Sequence, residues 1–276
     1  MTNERLLIIN ADDYNTDPAR NRGIIEAAGK GALTSVSVLT NMPGLDDALY
    51  SLEQVLGPSI GVHLNLTRGK PLSSQVQSLT GPQGDFLTKE RSWRRAMCGG
   101  YILDEIRREW SAQIEAFCRT GRQPDHLDGN NHLHIFPGCA AVCAQLALRY
   151  NIRRVRLPLE PLHVFGLPGR SGLKRMFLAA LSMHARSLFF ASGLSMPDRI
   201  FGIAFPEAGN SDSLCHFLKK LPSGVNELMC HPGYPAISTH LFSNSERERE
   251  LAALTSTAVR QTVIDEQIRL ISYNDI

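Results

Sequence analysis

The stretch RLLIINADDYNTDPARNRGIIEAAGKGALTSVSVLT, residues 5–40, decides the fold. It opens with RLLIIN (5–10), an apolar run of strand length. PARNRGIIEAAGKG (18–31) then reads as a helix, with Pro18 suited to its first turn and glycines at its end. LTSVSVLT (33–40) is again a strand. Strand, helix and strand in that order make a parallel pair. The pattern repeats outward, with helices at 45–56, 103–121 and 138–151 and strands at 59–67, 124–129 and 153–158. A helical region runs to about 193, strand signals return near 199–203 and at 225–233, and IRLISYNDI (268–276) closes the chain. About seven such units predict an α/β fold, an irregular (β/α) barrel rather than an open sheet. We expect one barrel domain over 1–276, with a Gly/Pro/Ser-rich insertion near 68–92, read as a long functional loop or lid, and a helical segment near 170–194.

Composition narrows the function classes. The chain has 276 residues, 43% of them hydrophobic, which is enough for a large core. A formal charge of +2 with no lysine-arginine block argues against a nucleic-acid partner. MTNERLLIIN at the start lacks the basic flank and apolar centre of a secretion signal. With no CxxC among six cysteines, the expectation is reduced thiols and a cytoplasmic location. Cys139 and Cys143, four apart on a predicted helix, read as packing residues.

Ligand-type side chains gather where the predicted strands end. The first strand ends in Asn10, Asp12 and Asp13, the second in Thr40 and Asn41, and the third carries His63 and Asn65. DHLDGNNHLHIFPG (125–138) brings His126, Asp128, Asn130, His132 and His134; the next strand carries Arg156, and the late strand ends in His231. In a parallel barrel those ends converge on one mouth, where active sites are built. Asp12 and Asp13 can share a site only if the strand turns between them, and YNTDP is turn chemistry. One carboxylate would then bind a cation and the other act as a base, against the blander reading of an acidic helix cap. His63 alone would read as a core histidine; beside two aspartates and a second histidine cluster it reads as a ligand. His126, Asp128 and Asn130 share one strand face, and Gly129-Asn130-Asn131 stops the strand, leaving His132 and His134 to a loop. His231, in a Pro-Gly turn, reads best as an acid/base group, with ligation or packing as alternatives.

Taken in order, LLIINADDYN, NRGIIEA, GALTSVSVLTN, GVHLNLTRGKPL, PDHLDGNNHLHIFP, VRLP and ELMCHPGY resemble the carbohydrate deacetylases of the YdjC/ChbG/HpnK type, nearly end to end. The resemblance implies an irregular barrel similar to that of polysaccharide deacetylases. It also implies hydrolysis of an N-acetyl group on an amino sugar with one divalent metal ion, Mg or Zn. By position Asp13 and His63 look like metal ligands, Asp12 like the base, His231 like the acid, and Arg156 like the residue that positions the base. The family's third ligand is a histidine directly after Asp-Gly or Asp-Ser; this chain has Asn130 there. Either Asn130 completes the shell, or His132 or His126 moves in, or the metal binds weakly. His126, Asp128, His132 and His134 otherwise read as substrate contacts or as supports for the ligands.

GLKRMFLAALSMHARSLFFASGL (172–194) is apolar with basic Lys174, Arg175 and Arg186, and is too interrupted to span a bilayer. It reads first as a barrel or homodimer helix. The alternative is an interfacial helix that contacts a lipid-linked substrate, which a charge at Phe189 would test. The rival to an active deacetylase is a sugar-binding barrel whose metal site has weakened at Asn130. A phosphoester hydrolase is disfavoured, because the motifs carry no arginine-lysine clamp.

Overall fold

A computed structural model describes residues 4–55, 59–161, 169–203, 209–236 and 244–276. Strand β1 (Arg5–Tyr14) is followed by helix α1 (Pro18–Gly29), capped by the Asp17 side chain, which accepts from the Arg20 N–H. Then come β2 (Ser35–Val38), α2 (Leu45–Glu53), β3 (Ile60–Leu64), α3 (Lys89–Met97), α4 (Leu103–Arg119) and β4 (His126–Gly129). A tight turn, Asn130–Ile135, leads into α5 (Cys139–Arg149), β5 (Arg154–Val155), α6 (Gly169–Ala191) and β6 (Arg199–Phe201). The chain closes with α7 (Ser211–Lys219), β7 (Gly224–Cys230), α8 (Ser245–Leu254), α9 (Thr257–Asp265), β8 (Arg269–Leu270) and a last turn, Tyr273–Asp275.

The strands lie in the order β5-β4-β3-β2-β1-β7-β6, every pair parallel, with β8 beside Leu6 and Leu7 of β1. The two outer strands meet without a regular ladder. Arg154 bridges Ser195, and the Ile200 N–H donates to the Leu159 carbonyl at 3.2 Å. The strands therefore form an irregular, incompletely closed barrel, and an irregular barrel is what the sequence predicts.

Alternation along the strands sorts the two faces. Leu7, Ile9, Val36, Val38, Val62 and Leu127 belong to the main apolar core under the helices. The opposite faces point into the lumen and are polar: Asn10, Asp12, Ser37, His63, His126, Asp128 and Glu227. Barrel interiors are ordinarily packed with branched aliphatic residues. Here Gly61 leaves room instead: a Cβ there would stand 2.2 Å from the His126 ring. Tyr273 plugs the far end, stacked on His126 at 3.8 Å and packed with Ile8 and Ile271.

Two expectations change. The 68–92 stretch is no free lid. Buried acids on α4 hold it, with Glu109 accepting the N–H groups of Leu72 and Ser73 at 3.0 and 2.8 Å and Glu105 that of Ser78 at 2.7 Å. Val76, Leu79, Phe86 and Leu87 within it are buried. On α6, Phe189 is wholly buried and Phe190 is 79% exposed, so Phe190 and not Phe189 is the position for probing that surface. Among the described residues no helix is long and apolar enough to cross a membrane. Cys139 and Cys143 are buried, and burial pushes the Cys139 thiol up to about 12, as suits packing residues.

Candidate active site

Asp12 and Asp13 do not lie either side of a strand end, as the sequence suggests. β1 runs on to Tyr14, and the register with β2 shifts between Ala11 and Tyr14. Asp13 sits at φ 66°, in the left-handed region, and this bulge swings both carboxylates to one side. A bulge needs no glycine or proline signal, so the turn chemistry after Asp13 pointed to the wrong device.

Asp12 is clamped. Arg156 donates to both its oxygens at 2.7 and 2.6 Å, and the Asn10 amide adds a third bond at 2.8 Å. The same guanidinium forms a close ion pair with Asp128 and donates to Glu227 through Nε and Nη2 at 2.9 and 2.7 Å. All four side chains are buried. Bidentate arginine-carboxylate contact fixes orientation as well as charge.

His63 faces the same pocket. Its Nδ1 pairs with Asp128 at 2.8 Å, which leaves Nε2 turned toward Asp13 Oδ1 at 3.6 Å and Asp12 Oδ2 at 4.0 Å. Two ligands on one zinc-sized ion, bonded at about 2.0–2.2 Å, stand roughly that far apart. A carboxylate on the second ring nitrogen is also how metal-binding histidines are oriented. Asp12, His63 and Asp128 form the acidic cluster with ligand atoms within 4.8 Å of one another. Asp128 is already committed to Nδ1 and Arg156, so the open side is that of Nε2, Asp13 and Asp12. Charge agrees: three buried carboxylates, Asp12, Asp128 and Glu227, surround the single Arg156 guanidinium. Burial works against a charged imidazole at His63, yet Asp128, Asp12 and Asp13 together raise it to about 9. Burial works against a charged Asp13 too, and Arg68, His63, His231 and Arg20 outweigh it, holding Asp13 below its usual range. The donor set fits a divalent cation.

Asn130 joins the group in an unexpected orientation. Its amide nitrogen donates to Asp13 Oδ1 at 2.9 Å and stands 3.3 Å from His63 Nε2. Its oxygen accepts from Thr67 and, at 2.7 Å, from Asn131. The carbonyl oxygen that would ligate a cation is turned away.

The other candidates divide. His231 follows β7, its N–H on Glu250 at 3.0 Å and its carbonyl taking a bond from Arg20 at 2.8 Å. Burial holds its imidazole well below the usual range against the pull of Asp13. His126 lies deep in the lumen on Ser37 and Asp125, and His134 bonds the Arg156 carbonyl at 3.0 Å. Both are wholly buried; His126 is linked to the site through Ser37 and Asn10, and His134 through the Arg156 backbone. Gly129 lets His134 in, since a Cβ there would come within 2.6 Å of its ring. His132 follows Asn131 in a pair of left-handed residues, buried, its Nδ1 unpartnered among the described residues. Sequence reasoning missed Glu227, Tyr273 and Thr67. A lone acid inside the apolar run VNELMC was the one available sign of Glu227.

Fold and site together define an α/β-barrel protein with an Asp-Asp-His centre at its strand ends, the kind of centre on which metal-assisted hydrolases are built. The model of the YdjC-like protein family matches residues 6–265, and the chain belongs to that family. It is 33% identical to the carbohydrate deacetylase of Homo sapiens, over 98% of this chain and 90% of that one. It is 31% identical to the chitooligosaccharide deacetylase of Escherichia fergusonii, over 99% and 100%. A crystal structure of an Enterococcus faecalis V583 protein with a proposed role in cellobiose-phosphate cleavage superposes with a TM-score of 0.79, at 27% identity, covering 99% and 98% of the two chains.

Proposed function

We propose that this protein is a carbohydrate N-deacetylase that uses one divalent cation, Mg or Zn, to hydrolyse the N-acetyl group of an amino sugar of the N-acetylglucosamine type. One observation carries the reading. His63 Nε2 and Asp13 Oδ1 face each other across 3.6 Å, beside a second carboxylate that Arg156 locks in place. The names of the relatives, at about a third identity over nearly the whole chain, supply the substrate class.

Asp13 and His63 would hold the cation. When bound, it supplies a more acidic water and a polarised acetyl carbonyl. Asp12, with both oxygens fixed, takes the proton of the attacking water. Asp128 keeps the His63 ring turned, and the Asn130 amide N–H is placed to donate to Asp13 or to an oxygen in the mouth. His231 hands a proton to the departing amine, since an amide nitrogen leaves badly as an anion. Its low resting proton affinity rises as negative charge builds on the reacting carbon's oxygen. We place the protein in the cytoplasm, with its six thiols unpaired.

The competing reading, a sugar-binding barrel with a weakened cation site, draws on the inward-facing nitrogen of Asn130. Acetate release from N-acetylglucosamine oligomers separates the two. Release should stop with a chelator, return with added cation, and fall about a hundredfold or more in Asp13→Ala. Full release by Asp13→Ala would overturn the assigned roles.

A further inference from the structure

We propose that Tyr273, in the turn that ends the chain, positions the base Asp12 through Glu227 and Arg156; this rests on the deacetylase reading above. Tyr273 cannot touch substrate, being wholly buried at the end of the barrel opposite the mouth. Its hydroxyl donates to Glu227 Oε2 at 2.7 Å. The other oxygen of that carboxylate, Oε1, accepts Nε and Nη2 of Arg156 at 2.9 and 2.7 Å. The two remaining faces of the guanidinium meet Asp12 and Asp128. A guanidinium is planar and rigid, so a tilt on its Glu227 edge is a tilt on its Asp12 edge. With every member at 0–3% exposure, no water can replace a lost bond.

Glu227 is the weak member. Burial pushes its carboxyl up toward the neutral form; Arg156 and then the Tyr273 hydroxyl oppose that, and Asp12 adds to it. Tyr273 is built to stay a donor, because burial and the facing Glu227 hold its phenol protonated. Without that hydroxyl, Glu227 Oε2 has no partner and the carboxylate is free to turn about its last bond. Arg156 then loses its support on one side, and Asp12 keeps only Asn10 as an independent anchor. The ring itself stays in place by stacking on His126 and packing on Ile8 and Ile271, so removing the hydroxyl alone isolates the effect.

Tyr273→Phe, assayed for acetate release from an N-acetylglucosamine oligomer, should lower kcat about tenfold. KM, and the affinity for Zn²⁺ measured by calorimetry, should stay within about twofold. Glu227→Gln should lower kcat in the same way. The double variant should be no slower than Glu227→Gln alone, because the hydroxyl acts only through that carboxylate. The ¹⁵N resonance of Arg156 Nε reads the same coupling without turnover and should move in Tyr273→Phe. A wild-type kcat in Tyr273→Phe, additive losses in the double variant, or a kcat that survives while thermal stability collapses would overturn the proposal. An unmoved Arg156 resonance would do so even in a protein that releases no acetate. A wild-type protein that releases none while the resonance moves overturns the deacetylase reading and leaves the coupling standing.

Discussion

At the scale of single residues, Asn130 is the position where this chain sets its own terms. Both ends of its amide are engaged, nitrogen toward Asp13 and His63, oxygen toward Thr67 and Asn131. A cation beside Nε2 would meet an N–H donor at this position, which repels it, and not an oxygen. Replacing Asn130 with histidine puts a ring nitrogen where only a donor stood. Asn130→His should therefore tighten Zn²⁺ binding about tenfold or more by calorimetry. Unchanged affinity would mean that the cation's shell does not extend to residue 130.

At the scale of elements, α4 shows what periodicity reveals and what it hides. Its apolar stripe, Ile106, Trp110, Ile114 and Phe117, was legible as an amphipathic face, and the helix formed where that face predicted. Glu105, Glu109 and Gln113, at i, i+4 and i+8, are buried too: the 68–92 stretch brings its N–H groups to the two acids, and the Asn65 N–H at the end of β3 donates to Gln113. The partners lie tens of residues away in the chain, so spacing alone could not show that these polar groups face inward. Cutting this anchor gives a direct test. Glu109→Leu removes the acceptor of the part-buried Leu72 and Ser73 N–H groups, at a cost of about 1 kcal/mol for each lost bond. Limited proteolysis should then cut within 68–80 well before the rest of the fold opens, with the wild type resistant there. Equal cleavage rates would return the segment to the status of a mobile lid.

At the scale of the whole molecule, the strand-end pattern carried the fold and the mouth. Asp12, Asp13, His63, Asp128 and Arg156 all sat at predicted strand ends, and the parallel order brought them together. What stayed illegible was the lumen: Glu227 and Tyr273 meet only because β7 and the last turn close on the same axis. That lumen makes the fold's stability depend on pH in a stated direction. His63 is raised from 6.5 to about 9 by the surrounding carboxylates, so its proton stabilises the cation-free fold. This contribution is complete below pH 6.5 and lost as pH rises through about 9. A shift of that size is worth on the order of 3 kcal/mol. Asp13 acts oppositely: lowered from 3.8, it stabilises the fold above that pH and fails as acid protonates it. Thermal melts of chelator-treated protein should therefore hold steady near pH 5–6 and fall between pH 6.5 and 9.5. With Zn²⁺ bound, the cation takes the place of the proton, and the alkaline fall should vanish. His63→Gln should lose the slope as well. A cation-free melt that stays flat across that alkaline range would mean that His63 carries no extra proton, and that the buried carboxylates balance their charge without it.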